Sequence, residues 1–462
     1  MALPDADVAV VGAGPAGIVA ARSLRAEGLR VTLIDPGVPP SPRIESLPLN
    51  GIDLAASLGL GPALARADLG RATTMQLWWR EVPEVREFGQ DGPLLLDRAL
   101  FHRTLRDMAP PDGLRTARVS GMQTIGDRVL LRLGHDTLSA RFVIDARGRT
   151  GLRGPGRGTS LVALAFSGGS GVAAGTPRML LQSLAEGWLW ACVLPDGRIA
   201  GAVFLPAVAL AGLTPQGRDA YLSQLLSGLA LGLPERLVTG PVVPAMLRAA
   251  TDPFASPRIL RIGDAALARD PIASHGLVHA LRSGVQAAVA VATILDPTGA
   301  VDAASTFVRD RHRDASDAAR TATTRSHAEQ ARHRTAFWSQ APAEVPAPMP
   351  WPAPTPWLAL SRPLTLPPLR RAAVLDGGRI HWSDAIWLPR SALAASRFGT
   401  VTAARVAGLL GPPASIAVLS RRLEQALAPA LAQAILRQLL DEGALGDATA
   451  PDQAAQAAFS SA

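Results

Sequence analysis

The sequence is organised around residues 7–17, which read DVAVVGAGPAG. The apolar, β-branched run 8–11 is typical of a buried parallel strand, and glycines in the spacing G-x-G-x-x-G follow it. Residues 18–27 then show a helical pattern that ends at Gly28. In such a strand–turn–helix the glycines allow a tight turn, close approach of a pyrophosphate and close helix–strand packing, with the helix N-terminus facing the phosphates. We therefore predict a dinucleotide-binding βαβ unit, the alternative being a purely structural one, with these residues at the turn: Gly12, Gly14, Pro15, Ala16 and Gly17.

The second strand of this unit supplies the expected acid. Residues 30–34 form a short apolar strand pattern that ends in Asp35, 18 residues after Gly17. An acid at this position accepts hydrogen bonds from a ribose hydroxyl in dinucleotide-binding folds. Asp35 is therefore predicted to bind the cofactor.

Composition limits the class of protein and its compartment. The chain has 462 residues, enough for two or three domains, and 48% of them are hydrophobic. Its one cysteine, Cys192, excludes an intramolecular disulfide and favours a reducing, cytoplasmic compartment. We expect no signal peptide, because the first strand begins at once, and no membrane segment, because we find no apolar run of about 18 residues in the sequence.

The net charge of +8 is carried by arginine alone, because the sequence contains no lysine. Arginine-only usage is typical of a GC-rich genome, and it is also compatible with an acidic partner. No nucleic-acid-binding motif accompanies the charge, so we expect no nucleic-acid partner.

Tryptophans mark the middle of the chain, where residues 158–250 are rich in strand patterns and turn signals. Trp188 and Trp190 alternate on one predicted strand and therefore share a face. Trp78 lies on another predicted strand, residues 76–80. These three indoles are candidates for the wall of a substrate or flavin pocket, and ordinary core packing is the alternative.

A second glycine–acid turn follows a buried strand pattern at residues 258–266 and contains Gly263-Asp264. The loop 270–276 comes next, and an apolar helix is predicted from residue 277 to 295. Backbone amides at the start of that helix would favour a negative ligand edge. Residues 302–338 read as a charged helix whose three histidines lack metal-ligand spacing, so we predict a solvated face and no metal site: His312, His327 and His333.

The clearest domain boundary is the proline-rich spacer 341–357. Beyond it, residues 380–382 and 386–388 predict a small hairpin. Three short helices with a small apolar core are then predicted at 401–410, 415–427 and 430–442.

Several ordered motifs between residues 5 and 300 resemble those of FAD-dependent monooxygenases and halogenases with the glutathione-reductase-like fold. They are the first glycine turn, Asp97-Arg98-x-x-Phe101, Asp145-Ala-Arg-Gly148 and Gly263-Asp264…Asp270-Pro271. Residues 43–48, RIESLP, are similar to the R-x-G-E-S-L-P segment of the tryptophan-halogenase-like branch, without its glycine. The resemblance implies an α/β fold with an α+β substrate sheet: a Rossmann FAD-binding domain, an inserted β-sheet substrate domain and a small C-terminal winged-helix-like domain.

The expected domain boundaries follow from these patterns. They are 1–75, 95–157 and 255–300 for the discontinuous FAD-binding domain, 76–94 and 158–254 for the substrate domain, 301–340 for a long helical segment, 341–375 for the proline-rich linker and 376–462 for the winged-helix-like domain.

The resemblance also implies roles for individual residues. Arg43 and Arg98 would lie along the FAD, and Asp264 would bind its pyrophosphate–ribityl side. The loop 270–276 would lie against the isoalloxazine, where His275 is a candidate acid or base, although a histidine that only packs or bonds a backbone group is the alternative. The further cofactor contacts implied are Asp145, Gly263, Gly276 and Leu277, and the catalytic loop residues are Pro271, Ser274, His275 and Gly276.

The chemistry implied is oxygen transfer through a flavin C4a-hydroperoxide, with electrons from NAD(P)H directly or through a reductase. Halogenation is disfavoured, because halogenases direct hypohalous acid with a lysine, which this chain lacks, and because their W-x-W-x-I-P signature is incomplete after Trp190. The C-terminal part resembles winged-helix modules that bind leader peptides. An FAD monooxygenase joined to such a module resembles the peptidyl-tryptophan hydroxylases of tryptophylquinone biogenesis, whose partner is the small crosslinked subunit of a quinohaemoprotein amine dehydrogenase.

Two other functions stay open at this point. The same chemistry could act on a free small aromatic compound, with the C-terminal module used for dimerisation. A flavin-independent regulator that binds DNA through the winged helix is the third, although it would leave Asp264 and the loop 270–276 without a purpose.

Overall fold

The computed structural model describes residues 5–109, 113–151, 161–169, 174–227, 237–273, 275–340, 363–366, 368–391 and 393–447. The chain separates into two compact units, one formed by residues 1–292 and 311–346 and the other by residues 293–310 and 347–462. The unit boundaries at 292/293 and 310/311 fall inside two helices, α6 and α7. The helices are α1 (Pro15–Ala26), α2 (Leu49–Ser57), α3 (Gly61–Ala67), α4 (Arg98–Asp107), α5 (Pro215–Ser227), α6 (Gly276–Leu295), α7 (Val301–Ala328), α8 (Ala403–Leu410), α9 (Ile416–Ala426) and α10 (Pro429–Asp441).

Strands make up much of the rest of both units. Those of the first unit are β1 (Ala6–Val11), β2 (Val31–Asp35), β3 (Ile44–Leu47), β4 (Asp68–Arg71), β5 (Thr74–Trp78), β6 (Glu84–Glu87), β7 (Leu94–Asp97), β8 (Leu114–Thr116), β9 (Gly121–Ile125), β10 (Arg128–Leu133), β11 (Asp136–Asp145), β12 (Leu161–Gly168), β13 (Arg178–Leu184), β14 (Gly187–Val193), β15 (Ile199–Pro206), β16 (Val238–Pro244), β17 (Arg248–Ala249), β18 (Phe254–Ser256), β19 (Ile259–Arg261) and β20 (Leu267–Ala268). Those of the second unit are β21 (Leu364–Thr365), β22 (Arg370–Asp376), β23 (Arg379–Leu388), β24 (Leu393–Ala395), β25 (Arg397–Phe398), β26 (Val401–Thr402) and β27 (Gly446–Asp447).

The first sheet has eight strands in the order β18-β19-β11-β1-β2-β8, with β10 and β9 added beside β11. β1 lies between β2 and β11 and is parallel to both, so Val10 sits opposite Leu33 and Ile144. Val8, Ala9 and Val10 are fully buried, as expected for a central parallel strand covered on both faces. Strand β11, which ends in Asp145, is therefore the neighbour of β1, and it returns to the sheet beside the glycine turn.

The second sheet is the inserted one, with seven strands in the order β16-β12-β15-β14-β13-β5-β6. Only β5 and β13 are parallel within it, and Trp78 pairs with Gln182. Helix α5 contributes Leu222 and Leu226 to the core on one face of this sheet. On the other face an aromatic core contains Trp188 and Phe204. The predicted α/β architecture with an inserted substrate sheet is thus confirmed.

In the second unit the three predicted helices are confirmed as α8, α9 and α10, and their buried residues form one core. The predicted hairpin is wrong in detail, because residues 380–382 and 386–388 lie on the single strand β23, whose hairpin partner is β22. β22 begins at Arg370, within the stretch that we assigned to the linker. The proline-rich spacer itself lies outside the described residues.

Within the second unit, β22 and β23 are tied to residues 293–310. The backbone N–H of Ile380 donates to Oγ1 of Thr293 at 3.1 Å, and Trp382 Nε1 donates to Asp302 Oδ2 at 2.8 Å. Arg379 Nε lies 3.6 Å from Asp296 Oδ2. The C-terminal unit therefore includes chain from well before the spacer.

Helix α6 corrects one expectation from the sequence. It is the one described helix that is long and apolar enough to cross a membrane by length and composition, with a mean hydropathy of 1.4 over its most apolar 18 residues. The protein itself buries 56% of that window, as is usual for a core helix.

Candidate functional site

The glycine turn is crowded at two positions and open at the third. Gly12 has a φ of +111°, and a Cβ there would lie 2.4 Å from the carbonyl oxygen of Ala146. A Cβ on Gly17 would clash with the Gly12 carbonyl oxygen. At Gly14, the N-cap of α1, a Cβ would meet nothing within 4 Å. The first and third glycines are thus needed by the fold, whereas the second borders space that a pyrophosphate could occupy, with Pro15 and Ala16 opening the helix behind it.

Asp35 is held at the same turn. Its Oδ2 accepts the N–H of Ala13 and its Oδ1 the N–H of Gly37, each at 2.9 Å. Arg106 Nη1 lies 3.1 Å from Oδ1. The carboxylate is therefore oriented beside the glycine turn, while its predicted contact with a ribose stays a prediction.

Helix α4 carries the predicted Arg98 and two residues that sequence reasoning missed, His102 and Arg106. Asp97 caps the helix, accepting the N–H of Leu100 at 2.8 Å. Arg98, His102 and Arg106 follow at intervals of four and lie on one helix face, a spacing that could have been found in the sequence. His102 Nε2 lies 2.7 Å from the carbonyl oxygen of Ala13, inside the glycine turn.

The protonation of His102 follows from its surroundings. Burial lowers its pKa, and the nearby Arg98 guanidinium lowers it further. The ring is therefore neutral at pH 7, and because Ala13 offers a carbonyl acceptor, Nε2 must be the protonated nitrogen. His102 consequently positions the glycine turn by donating a hydrogen bond to it.

We expect His102→Phe to weaken FAD binding about tenfold, because the loss of one buried hydrogen bond costs about 1 kcal/mol. Flavin fluorescence during titration of the FAD-depleted protein measures the change. His102→Gln, which keeps a donor, should bind more tightly than His102→Phe. His135→Phe is the matched control, because His135 is exposed in the turn between β10 and β11. Equal affinities for all variants would show that this hydrogen bond does not support the turn.

A cluster of charged side chains lies next to these elements. Arg98 Nε is 2.8 Å from Glu45 Oε2, and Arg43 Nη2 is 3.3 Å from Glu45 Oε1. Arg149 Nε lies 3.4 Å from Asp264 Oδ2, and Asp264 acts electrostatically on Arg98. Burial pushes the pKa of Glu45 upward, but the guanidinium groups of Arg43, Arg98 and Arg149 outweigh it and hold the pKa below its ordinary value.

This charge set fits the phosphates of FAD. Three guanidinium groups face two carboxylates, which leaves an excess of one positive charge. Nη1 of Arg98 is also buried without a hydrogen-bond partner among the described residues. Arg43, Arg98 and Asp264, which the resemblance places along the FAD, are therefore brought together, and the donors present suit a diphosphate.

Asp145 and Gly263 of the second glycine turn also make hydrogen bonds within the protein. Oδ1 and Oδ2 of Asp145 accept two hydrogen bonds from Arg147, at 2.9 and 2.7 Å. Gly263 has a φ of +55°, and its N–H donates to Ser283 Oγ at 3.0 Å. The Asp145 carboxylate is thus already engaged, and its contact with the cofactor remains a prediction.

The loop 270–276 contains a buried acid to which we assigned no role from the sequence. Asp270 is 5% exposed, and its Oδ1 accepts the N–H of Ile272 at 3.0 Å. Burial raises its pKa to about 6, although the Ile272 N–H and Arg149 oppose the rise. Pro271 begins a 3₁₀ turn, Pro271–Ala273, and Ser274 lies outside the described residues. His275 and Gly276 are exposed where α6 begins, and Leu277 is buried.

Trp188 and Trp190 lie on one face of the inserted sheet and Trp78 lies on the other, and their role in the wall of a substrate or flavin pocket stays a prediction. Trp188 is buried and stacks on Phe204 with ring centroids 3.6 Å apart, and Trp190 lies on the same face. Trp78 packs into the core on the opposite face. It pairs with Gln182, whereas Trp188 pairs with the next residue, Ser183, and successive residues of a strand point to opposite faces. Ile272 of the loop 270–276 contacts the aromatic core that holds Trp188, so that core borders the loop.

The predicted solvated face of histidines is wrong. His312 Nε2 lies 2.7 Å from the carbonyl oxygen of Ala250, and His333 Nε2 lies 3.2 Å from that of Ser183. The His327 ring packs edge-on against Trp338, 5.1 Å between centroids. The end of α7 and the segment after it thus cover the aromatic face of the substrate sheet, where Trp79 Nε1 donates to the carbonyl oxygen of Ser326 at 2.7 Å.

Comparisons with known proteins agree with this reading. The sequence profile of the pyridine nucleotide-disulphide oxidoreductase family matches residues 6–53. A tryptophan 2-halogenase from Chondromyces crocatus is 26% identical over 338 residues, which cover 66% of this chain and 64% of that protein. The chain therefore spans just under two thirds of the length of this curated relative.

Two solved structures superpose on nearly the whole chain. The peptidyl tryptophan dihydroxylase QhpG, essential for tryptophylquinone cofactor biogenesis, is 25% identical with a TM-score of 0.74, covering 96% of this chain and 100% of that one. CmlS, a flavin-dependent halogenase, is 19% identical with a TM-score of 0.74, covering 97% and 98%. The predicted resemblance is confirmed: the chain has the fold and the FAD-binding unit of FAD-dependent oxidoreductases and is similar to flavin-dependent halogenases and to a peptidyl tryptophan dihydroxylase.

Proposed function

We propose that this protein is an FAD-dependent monooxygenase that hydroxylates a tryptophan side chain of a partner polypeptide during the biogenesis of a tryptophylquinone cofactor. The observation that carries the proposal is the similarity to QhpG, which includes the C-terminal unit and covers all of that chain. The absence of lysine from this sequence also favours hydroxylation over halogenation.

The reaction must balance in atoms and electrons. One atom of O₂ enters a C–H bond of the indole, and the other leaves as water with two electrons and two protons. NAD(P)H is the proposed reductant, either directly or through a reductase. Reduced FAD, when bound, would supply the activation of O₂.

The residues of this chain would bind the cofactor, orient the aromatic substrate and exclude water. Gly14 admits the pyrophosphate, and the charge cluster around Glu45 offers an excess positive charge to it. The stacked pair Trp188 and Phe204 forms a dry aromatic layer beside the loop 270–276. Asp270 can hold a proton below about pH 6 in that loop. These are the groups that we expect to shape a site for an aromatic ring.

The second unit is the proposed contact for a polypeptide. Its helices α8 and α9 carry exposed arginines, Arg405 and Arg421, which suit an acidic partner and would make association sensitive to salt. The small crosslinked subunit of an amine dehydrogenase is the proposed partner.

A second candidate function is hydroxylation of a free small aromatic compound such as tryptophan. The similarity to a tryptophan 2-halogenase favours it, because that protein is named for tryptophan as its substrate, and CmlS, a flavin-dependent halogenase, shares the fold. In that case the second unit would not contribute to substrate capture.

Turnover with defined substrates tests both candidates. The FAD-loaded protein, reduced with NAD(P)H or dithionite, is mixed with O₂ and either free tryptophan or the crosslinked polypeptide. We expect oxygen incorporation at a tryptophan of the polypeptide and none in free tryptophan, as measured by mass spectrometry. Arg405→Glu with Arg421→Glu should raise the KM for the polypeptide, and Arg66→Glu, an exposed arginine on α3, is the control. Oxygenation of free tryptophan alone would support the second candidate instead.

Turnover in the presence of halide ions tests whether the protein hydroxylates or halogenates its substrate. In saturating chloride or bromide we expect the product to contain oxygen and no halogen, because no lysine is present to direct hypohalous acid. Formation of a halogenated product that depends on this protein would contradict the proposal.

A further inference from the structure

Four basic side chains converge next to the loop 270–276 and belong to no contact described above for the FAD. They are Arg269, His279, Arg282 and His312, called here the basic cluster. Arg269 directly precedes Asp270, and His279 and Arg282 lie three residues apart on α6, just after the loop. The cluster therefore adjoins the loop that the resemblance places against the flavin ring.

The pairing of two short strands brings His312 of α7 to the same place. β17 pairs with β20, and the N–H of Ala250 donates to the carbonyl oxygen of Ala266 at 2.8 Å. His312 Nε2 lies 2.7 Å from the carbonyl oxygen of Ala250. Since Arg269 follows β20 immediately, the strand pair joins it to the helix that carries His312.

The electrostatics confirm that the four groups act on one another. Burial, together with Arg269, His312 and Arg282, lowers the pKa of His279 to about 4. Burial and the neighbouring Arg282 also lower the pKa of Arg269. His279 is therefore neutral at pH 7, whereas the two guanidinium groups remain charged.

Neither Arg269 nor Arg282 has an acidic partner among the residues that the structure describes. Arg269 Nε and His279 Nε2 are both buried and have no hydrogen-bond partner in the described part of the chain. Arg282 is exposed, so an anion can reach the cluster from solvent. Two like charges held together without compensation are costly unless an anion joins them.

We propose that the basic cluster binds the pyrophosphate of a nicotinamide dinucleotide that delivers electrons to this protein, a step that rests on the proposed function. The reaction consumes two electrons per turnover, and the sequence contains no second G-x-G-x-x-G turn to hold such a donor. Guanidinium groups bind phosphate oxygens in a bidentate fashion, and the cluster adjoins the predicted flavin-facing loop. An acidic side chain of the partner polypeptide is the competing occupant.

Steady-state oxidation of NADH and NADPH by the FAD-loaded protein, without a polypeptide, tests the proposal. Arg269→Ala and Arg282→Ala should each raise the KM for the dinucleotide about tenfold, with little change in kcat. ADP, which carries the same diphosphate, should inhibit the native protein competitively and the variants less. Arg66→Ala is the control for loss of an exposed arginine, and the visible flavin spectrum reports folding.

Each other outcome overturns the inference. KM values and ADP inhibition equal to those of the native protein would mean that no diphosphate binds there. A KM that rises only for the polypeptide would assign the cluster to the partner. If neither dinucleotide reduces the flavin, a separate reductase is the donor, and the proposal fails. Hydroxylation by the dithionite-reduced protein still tests the proposed function in that case.

Discussion

Gly14→Val should yield a folded protein that contains no flavin. Gly14 has a φ of −74° and caps α1, so valine requires no unusual backbone, and its Cβ would meet no protein atom within 4 Å. The added side chain would instead occupy the space in which the pyrophosphate must approach the backbone. We expect loss of at least about 100-fold in FAD affinity, because the diphosphate would lose its backbone contacts.

The visible spectrum of the purified protein measures this loss, and circular dichroism reports its fold. Gly61→Val is the matched control, because Gly61 begins α3 in open space away from the turn. Gly17→Ala offers the contrasting case: its Cβ would clash with the Gly12 carbonyl oxygen, so that variant should lose stability as well as flavin. A yellow, folded Gly14→Val protein would show that the cofactor lies elsewhere.

Asp270→Asn should stabilise the protein above pH 7 and change little at pH 4. Burial raises the pKa of Asp270 from 3.8 to about 6, so between these values the folded protein holds a proton that the unfolded chain has lost. The stability contributed by this proton is full below about pH 4 and is lost as pH rises through about 6. The difference corresponds to about 3 kcal/mol at pH 8.

Asparagine removes the ionisation and can still accept the N–H of Ile272. Urea unfolding of the FAD-loaded protein at pH 4, 6 and 8 should therefore show a gap between Asp270→Asn and the native protein that widens with pH. Asp53→Asn, an exposed acid on α2, is the control. Parallel pH profiles for Asp270→Asn and the native protein would indicate that Asp270 ionises as readily in the folded chain as in the unfolded one.

The local parts of the fold could be predicted because their signals lie within short stretches. The turn at Gly12 to Gly17 combines strand, glycine spacing and helix within a few residues, and each constraint acts locally. The three C-terminal helices were likewise found from apolar spacing. Arg98, His102 and Arg106 belong to this readable class as well, since they recur every four residues after a recognised N-cap.

The features that could not be predicted depend mainly on pairings between segments that are far apart in the sequence. Trp78 could be placed on its face only once β5 was known to pair with β13, about a hundred residues later. His312 and His333 lie within hydrogen-bonding distance of carbonyl oxygens that are 62 and 150 residues away in sequence. No local sequence pattern predicts such contacts. Asp270 was recognised as part of a motif, but its raised pKa could not be predicted, because the shift comes from burial and burial is a property of the folded chain.

The hydrogen bond between Ile380 and Thr293 bears on how this protein could be recombined with its relatives. The second unit is discontinuous, because residues 293–310 belong with chain that follows the spacer. A chimera joined within the spacer would combine Thr293, Asp296 and Asp302 of one protein with the contacting strands β22 and β23 of another. During synthesis, Thr293 emerges from the ribosome 87 residues before Ile380, so this hydrogen bond can form only after Ile380 has been synthesised. Exchange of the C-terminal module between enzymes therefore requires three matched junctions, one inside α6, one inside α7 and one in the spacer, rather than a single crossover in the linker.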